Sequence, residues 1–161
     1  MHFRKPLIFA LIAVMASPCI RAEEVAKPQK SAGDFMVYAT VERFRIHTDY
    51  CSLAVPELKK DLDALMEQLA TRVQRIGNRL LASDSFKTLK SQPVPPGLVT
   101  ALKESNDDEM REYRQLDAAK TCRSAIKGYS SMSDGEIESG LVRGFTGVQD
   151  VANATDSVRG R

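Results

Sequence analysis

ELKKDLDALMEQLATRVQRIGNRLL, residues 57–81, is the stretch of sequence that decides the fold. Its apolar residues recur at steps of three, four and seven, which places them on one face of a helix: Leu58, Leu62, Leu65, Leu69, Ile76 and Leu80. The other positions are mostly residues with high helix propensity. The pattern predicts an amphipathic helix that ends near Ala82, with Gly77 inside it at a cost of about 1 kcal/mol relative to Ala.

Three further segments have a helical period. Residues 35–55 and 110–129 carry long apolar stripes, and residues 137–148 carry a shorter one that follows the capping pattern SDGE at residues 133–136. No run of useful length alternates apolar and polar residues as a strand does. The sequence therefore predicts an all-α, single-domain bundle of about four helices over residues 34–149, with a flexible lead at 23–33 and a flexible tail at 150–161.

The segment after the proline-rich loop 91–97 allows two interpretations. Leu98, Val99 and Leu102 restart a helix, but residues 103–109 contain no apolar side chain. Either one helix continues through a solvated middle, or it breaks at Asn106, which could cap a new helix with Glu109 three positions later.

The N-terminus has the order of a secretory signal. A basic start is followed by a ten-residue apolar run at residues 7–16 and then by small residues. The run is too short to span a bilayer, which takes about 20 apolar residues. We expect removal of residues 1–22, cleavage after Ala22 and a periplasmic or secreted protein without a membrane span.

The cysteines fit this destination. Cys51 and Cys122 remain after cleavage, each on an apolar stripe, and an exported chain meets an oxidising compartment. We therefore predict one structural disulfide between them. Cys19 could instead become a lipid-modified N-terminus, an alternative that the preceding Pro18 disfavours.

Composition limits the classes of partner. The 161-residue chain has 23 basic and 21 acidic residues. Without residues 1–22, it retains 139 residues with 20 basic and 21 acidic side chains, a formal net charge of −1. This balance does not favour binding to nucleic acid or to anionic lipid.

Catalytic chemistry has little support in the sequence. His47 is the one histidine left after cleavage, and no Gly-x-Ser-x-Gly elbow accompanies it. A metal cluster of His47, Asp49 and Cys51 is disfavoured, because Cys51 is expected in the disulfide and His47, beside a polar face, is expected at the surface. The acids of residues 107–112 lack the spacing of a calcium loop. We predict no catalytic residue, no metal and no cofactor.

A ridge of arginines is the strongest candidate for a partner-binding surface. Arg72, Arg75 and Arg79 are spaced by three and four along the helix of residues 57–81. Because guanidinium groups bind carboxylates while their stems cover apolar surface, this arginine ridge could dock on an acidic partner protein. Alternatively, it pairs with the acids of residues 107–112 across the bundle or faces water.

These observations favour an exported helical protein that binds another protein, such as an inhibitor, an immunity protein or an accessory factor of envelope assembly. The alternative is a carrier that holds a small ligand or a metal in the bundle interior. That alternative needs convergent polar groups in the interior, whereas the predicted stripes are mostly aliphatic.

Overall fold

A computed structural model describes residues 31–159, and its regular elements are all helices. Five α-helices follow one another, namely α1 (Ala32–Ala54), α2 (Lys59–Leu81), α3 (Leu98–Tyr113), α4 (Ala118–Ser131) and α5 (Asp134–Arg159). Two short 3₁₀ helices, Pro56–Leu58 and Lys87–Lys90, precede and follow α2. The predicted all-α domain is confirmed, with one helix more than expected.

The main core forms where α1, α2 and α5 pack against one another. The predicted stripe of α2 is buried there, because this face is the apolar side of the helix. The buried side chains of this core include Val37 of α1, Leu65, Leu69, Val73, Ile76 and Leu80 of α2, and Ile137, Leu141, Phe145 and Val148 of α5. Burial of such apolar area contributes about 25 cal/mol per Å².

Gly77 has a packing role inside α2. A β-carbon built on it would lie 2.5 Å from Cγ2 of Val37 in α1, so the glycine lets the two helices approach closely. Glycine lowers the helix propensity of α2 at this position, but it makes the close contact between α1 and α2 possible.

A second, smaller core surrounds the disulfide that ties α1 to α4. The sulfur atoms of Cys51 and Cys122 are 2.06 Å apart, and both residues are buried together with Val55 and Leu62. The predicted disulfide is present in the structure.

The structure of residues 98–131 decides between the two interpretations of the sequence, a continuous helix or a break at Asn106. Helix α3 runs without a break through residues 103–109, so a break at Asn106 is wrong. The break falls at residues 114–117 instead. There the side chain of Asp117 accepts a hydrogen bond from the backbone N–H of Lys120 at 2.7 Å and starts α4.

The helices extend beyond both ends of the predicted domain, which spans residues 34–149. Helix α1 begins at Ala32 and not at residue 34, because Ser31 caps it by accepting a hydrogen bond from the backbone N–H of Asp34. Helix α5 extends to Arg159 and does not end at residue 149, so helix replaces most of the predicted flexible tail. The capping pattern at residues 133–136 forms as predicted, with Ser133 and Glu136 bonding reciprocally.

The predicted signal at residues 1–22 and residues 23–30 of the predicted lead, which spans 23–33, lie outside the described residues. Between residues 31 and 159, no helix has the length and apolar character needed to cross a membrane.

Candidate functional site

The arginine ridge lies on α2 beside the start of α5. Arg72 donates from Nε to Asp134 Oδ1 at 2.8 Å and from Nη2 to the backbone carbonyl of Met132 at 2.6 Å. Arg75 donates to the other carboxylate oxygen of Asp134 at 2.5 Å. These hydrogen bonds, from Arg75 and then from Arg72, hold the pKa of Asp134 below its ordinary value.

Arg79 completes the ridge one turn later by donating to Glu138 Oε2 at 2.6 Å. Three guanidinium groups thus share two carboxylates, and the ridge joins α2 to α5. The acids of the expected intramolecular alternative, residues 107–112, are not its partners in the structure, since α3 lies against α1. Partner binding by Arg72, Arg75 and Arg79 remains a prediction.

His47 is the centre of a different cluster, between α1, α3 and α4. Its exposed fraction is 7%, so the expectation that it lies at the surface is wrong. One ring nitrogen, Nδ1, is 2.5 Å from the hydroxyl oxygen of Tyr129, and the other, Nε2, is 3.5 Å from Glu109 Oε1. We call His47, Glu109, Tyr113 and Tyr129 the His47 cluster.

The geometry assigns the proton of the neutral imidazole. A carboxylate beside Nε2 favours a proton on that nitrogen, because a lone pair there would face a negative charge. Nδ1 is then an acceptor, and the hydroxyl of Tyr129 donates to it. Glu109 is held in turn by Arg43, whose Nη2 donates to Oε1 at 2.9 Å.

Aromatic rings enclose the imidazole. Tyr113 stacks on it, with the ring centres 4.8 Å apart and an angle of 8° between the ring planes. Tyr50 packs edge to face on Tyr113, and Phe44 packs edge to face on Tyr129. Burial lowers the pKa of His47, and the charge of Glu109 opposes this shift. Burial also raises the pKa of Tyr129 to about 12, so its hydroxyl keeps its proton at neutral pH.

Two surface cavities adjoin the cluster. The first, of about 580 Å³, lies between the α3–α4 turn and α4, and Leu116 and Lys120 are among its walls. The second, of about 520 Å³, lies between α1, α3 and α5. We call this second cavity the α3 groove. His47 and Tyr129 line both cavities, so the cluster forms the wall between them.

The cluster does not form the metal site considered from sequence. Both ring nitrogens of His47 have protein partners, and the sulfur of Cys51 is in the disulfide. Within residues 31–159, no three potential ligand side chains from His, Cys, Asp and Glu group together.

Sequence reasoning missed the partners of His47. Glu109 and Tyr129 are far from His47 along the chain, and the histidine and the tyrosine are 82 positions apart. The available signal was the position of Tyr113 and Tyr129 on the same apolar stripe as Cys122, together with a disulfide that brings this stripe to α1. Comparison with protein-family models, with curated proteins and with solved structures finds no match to this chain.

Proposed function

We propose that the protein is an exported helical binding protein that acts through protein–protein contact, and that the α3 groove receives a segment of its partner. The observation that carries this proposal is the combination of an apolar floor with an unpaired cation at the edge of this groove. This proposal covers three classes of binding protein: an inhibitor, an immunity protein and an accessory factor of envelope assembly.

The floor of the groove is apolar and accessible. Phe44, Leu102, Met132 and Ile137 contribute to it, and a β-carbon on Gly140 would meet nothing within 4 Å, so this glycine leaves room for a partner side chain. An apolar groove between helices is a common docking site for a partner segment that presents apolar side chains at helical spacing.

The charged groups at the edge indicate the chemistry of that segment. Glu109 is paired with Arg43, and the carboxylate of Glu136 accepts hydrogen bonds from Ser133. Arg143 lines the same groove, is exposed, and has no acidic partner among the described residues. A partner segment with an Asp or Glu beside its apolar side chains would therefore complement the groove.

The wall formed by α3 suits adaptable recognition. Met110 is the only residue of this helix that is buried, whereas α2 and α5 each bury a long stripe. A helix with little buried area belongs to the less stable part of a structure and can adjust its position.

Export is part of the proposal. The signal-like order of residues 1–22 supports it, and a buried disulfide is typical of oxidising compartments. Intact-mass analysis of protein recovered from the periplasm or the medium should give a chain beginning near Glu23. A chain retained in the cytoplasm, or one lipidated at Cys19, would contradict this part of the proposal.

Photo-crosslinking in cells tests the groove. A photoreactive amino acid at Leu102 or at Ser105, both of which line the groove, should give one defined protein adduct. The same amino acid at Lys60 of α2, which lines neither cavity, is the control position. The crosslinked partner segment is then synthesised as a peptide and its affinity for the purified protein is measured.

The peptide should contain an acidic residue, and Arg143→Glu should weaken its binding by about tenfold or more, which is about 1.4 kcal/mol. Arg123→Glu, an exposed arginine of α4 that lines neither cavity, should change binding little. No adduct at either groove position, or equal effects of the two substitutions, would overturn the proposal. A stoichiometric small ligand in native mass spectrometry would favour the carrier alternative instead.

A further inference from the structure

We propose that the first of the two cavities, which lies beside the start of α4, binds a free α-amino acid with an aromatic or large apolar side chain. We call it the α4 cavity. The carboxylate of the ligand binds Lys120, its ammonium binds Asp117, and its side chain lies against the rings of His47, Tyr113 and Tyr129. This site is separate from the α3 groove and goes beyond the proposed function.

One part of the α4 cavity is aromatic and apolar. The rings of His47, Tyr113 and Tyr129 line it, and Leu116 and Ala125 add aliphatic surface. Leu116 is 57% exposed, and covering it with an apolar ligand group would remove that surface from water. The cavity volume of about 580 Å³ lies in the range of about 300 to 1,000 Å³ that is typical of small-molecule sites. The cavity therefore has the room and the surface for a phenyl or isobutyl group.

The other part of the cavity is polar and belongs to one face of α4. Asp117, Lys120, Thr121 and Ser124 all line it. The last three lie three, four and seven positions after Asp117, which is the spacing that places side chains on one side of a helix. Because the cap at Asp117 fixes the residue at which α4 begins, it also sets which side chains this face presents to the cavity.

The polar groups of this face have few partners within the protein. Among the described residues, neither Asp117 nor Lys120 forms an ion pair, and Asp117 uses only Oδ1 for the cap. The hydroxyls of Thr121 and Ser124 form no hydrogen bond in this part of the chain, whereas that of Thr71 in α2 donates to a backbone carbonyl one turn earlier. The face thus offers one cation, one anion and two hydroxyls to a ligand.

Charge complementarity indicates which ligand suits this face. An unpaired cation and an unpaired anion that line the same cavity favour a ligand with both charges, and an α-amino acid carries them on a single carbon atom. Its carboxylate accepts hydrogen bonds from Lys120 and from the hydroxyl of Thr121 or Ser124, while its ammonium donates to Oδ2 of Asp117. A purely anionic ligand would be repelled by Asp117, and a purely cationic ligand by Lys120.

Binding at this site is expected to be weak and reversible, because both charged side chains are exposed and exposed ion pairs contribute little. We expect a Kd of about 1 mM, so the amino acid exchanges freely and is lost during purification. This distinguishes the α4 cavity from the carrier alternative, in which a stoichiometric ligand stays bound in native mass spectrometry.

Three probes with the same phenyl group on the same two-carbon chain test the charges. L-Phenylalanine carries both charges, 3-phenylpropionate lacks the ammonium, and phenethylamine lacks the carboxylate. Backbone amide NMR shifts of the purified protein are followed at neutral pH as each probe is added. Phenylalanine should shift the amides at the start of α4 in a saturable way and bind about threefold to fivefold more tightly than either other probe. Glycine, which lacks the side chain, should give no saturable shift.

Two substitutions separate the contributions of the two charges. Lys120→Gln should remove the preference for phenylalanine over phenethylamine, because the partner of the carboxylate is lost. Asp117→Asn should remove the preference over 3-phenylpropionate, and it preserves the start of α4, since Asn and Asp cap helices about equally well. Lys127→Gln is the matched control on the same helix: Lys127 is exposed and lines neither cavity, so all three affinities should stay unchanged.

Three results would overturn the inference. The first is the absence of a saturable shift in α4 with phenylalanine up to about 10 mM. The second is a probe with a single charge that binds as tightly as phenylalanine. The third is an equal effect of Lys120→Gln and Lys127→Gln on the binding of phenylalanine. None of these measurements involves the α3 groove, so this inference and the proposed function succeed or fail independently.

Discussion

Gly77 of α2 lies directly against Val37 of α1, and a β-carbon on Gly77 would be 2.5 Å from Cγ2 of the valine. Both residues are buried in the main core. Val37 is branched at its β-carbon and has few alternative rotamers in a helix, so it cannot move aside at low cost. The distance between α1 and α2 therefore depends on the absence of a side chain at position 77.

We predict that Gly77→Ala destabilises the protein, although alanine is the better helix former. The gain in helix propensity is about 1 kcal/mol, and overpacking of a core costs about 1 to 3 kcal/mol. Thermal unfolding should give a lower melting temperature. Gly147→Ala is the matched control in α5: its β-carbon would meet nothing within 4 Å, so it should raise stability. A raised melting temperature for both variants would contradict the packing argument.

A second prediction concerns the ion pair between Arg79 and Glu138. Exposed ion pairs contribute about 0 to 1 kcal/mol, and Arg79→Glu also adds repulsion, so chemical denaturation should show a small loss of stability. The exchanged pair Arg79→Glu with Glu138→Arg should recover it. Glu112→Lys should not rescue Arg79→Glu, because residue 112 is not near the ridge contacts.

The same exchanged pair tests partner binding by the arginine ridge. It keeps the contact between α2 and α5 but moves the positive charge from one helix to the other. If the ridge docks on an acidic partner, the exchanged protein should be as stable as the original and bind the crosslinked peptide or its parent protein more weakly. Unchanged binding would leave the ridge a purely structural role.

A third prediction concerns the disulfide. Because both cysteines are almost fully buried and joined, alkylation without a reductant should label neither Cys51 nor Cys122 in folded protein. Replacing both by alanine should lower the free energy of unfolding by about 2 to 5 kcal/mol. Labelling of either cysteine in folded, unreduced protein, measured by intact mass, would contradict the structural bridge.

A fourth prediction concerns the hydroxyl of Tyr113, which is buried and has no hydrogen-bond partner among the described residues. Since an unsatisfied buried polar group costs about 1 to 3 kcal/mol, Tyr113→Phe should raise the stability measured in urea and keep the ring stacked on His47. Tyr50→Phe, on the ring that meets Tyr113 edge to face, is the comparison. A loss of stability confined to the Tyr113 variant would mean that its hydroxyl has a stabilising partner.

The helices were largely predictable from sequence because each is defined by its own apolar period. The ends of the helices were less predictable: the glycines of α5 lower its propensity, yet the helix packs on α1 and α2 as far as Val148 and extends to Arg159. The break before α4 depends on one cap at Asp117. The environment of His47 could not be predicted, since Glu109 and Tyr129 reach it only through the tertiary fold.

The disulfide between Cys51 and Cys122 also bears on the order in which the helices assemble. It encloses α2 and α3 in one covalent loop, and of the described helices only α5 lies wholly outside it. Because a chain emerges from its N-terminus, both cysteines are available before α5 has been delivered. The loop can therefore close around an incomplete core, and α5 then docks on helices whose arrangement is already restricted.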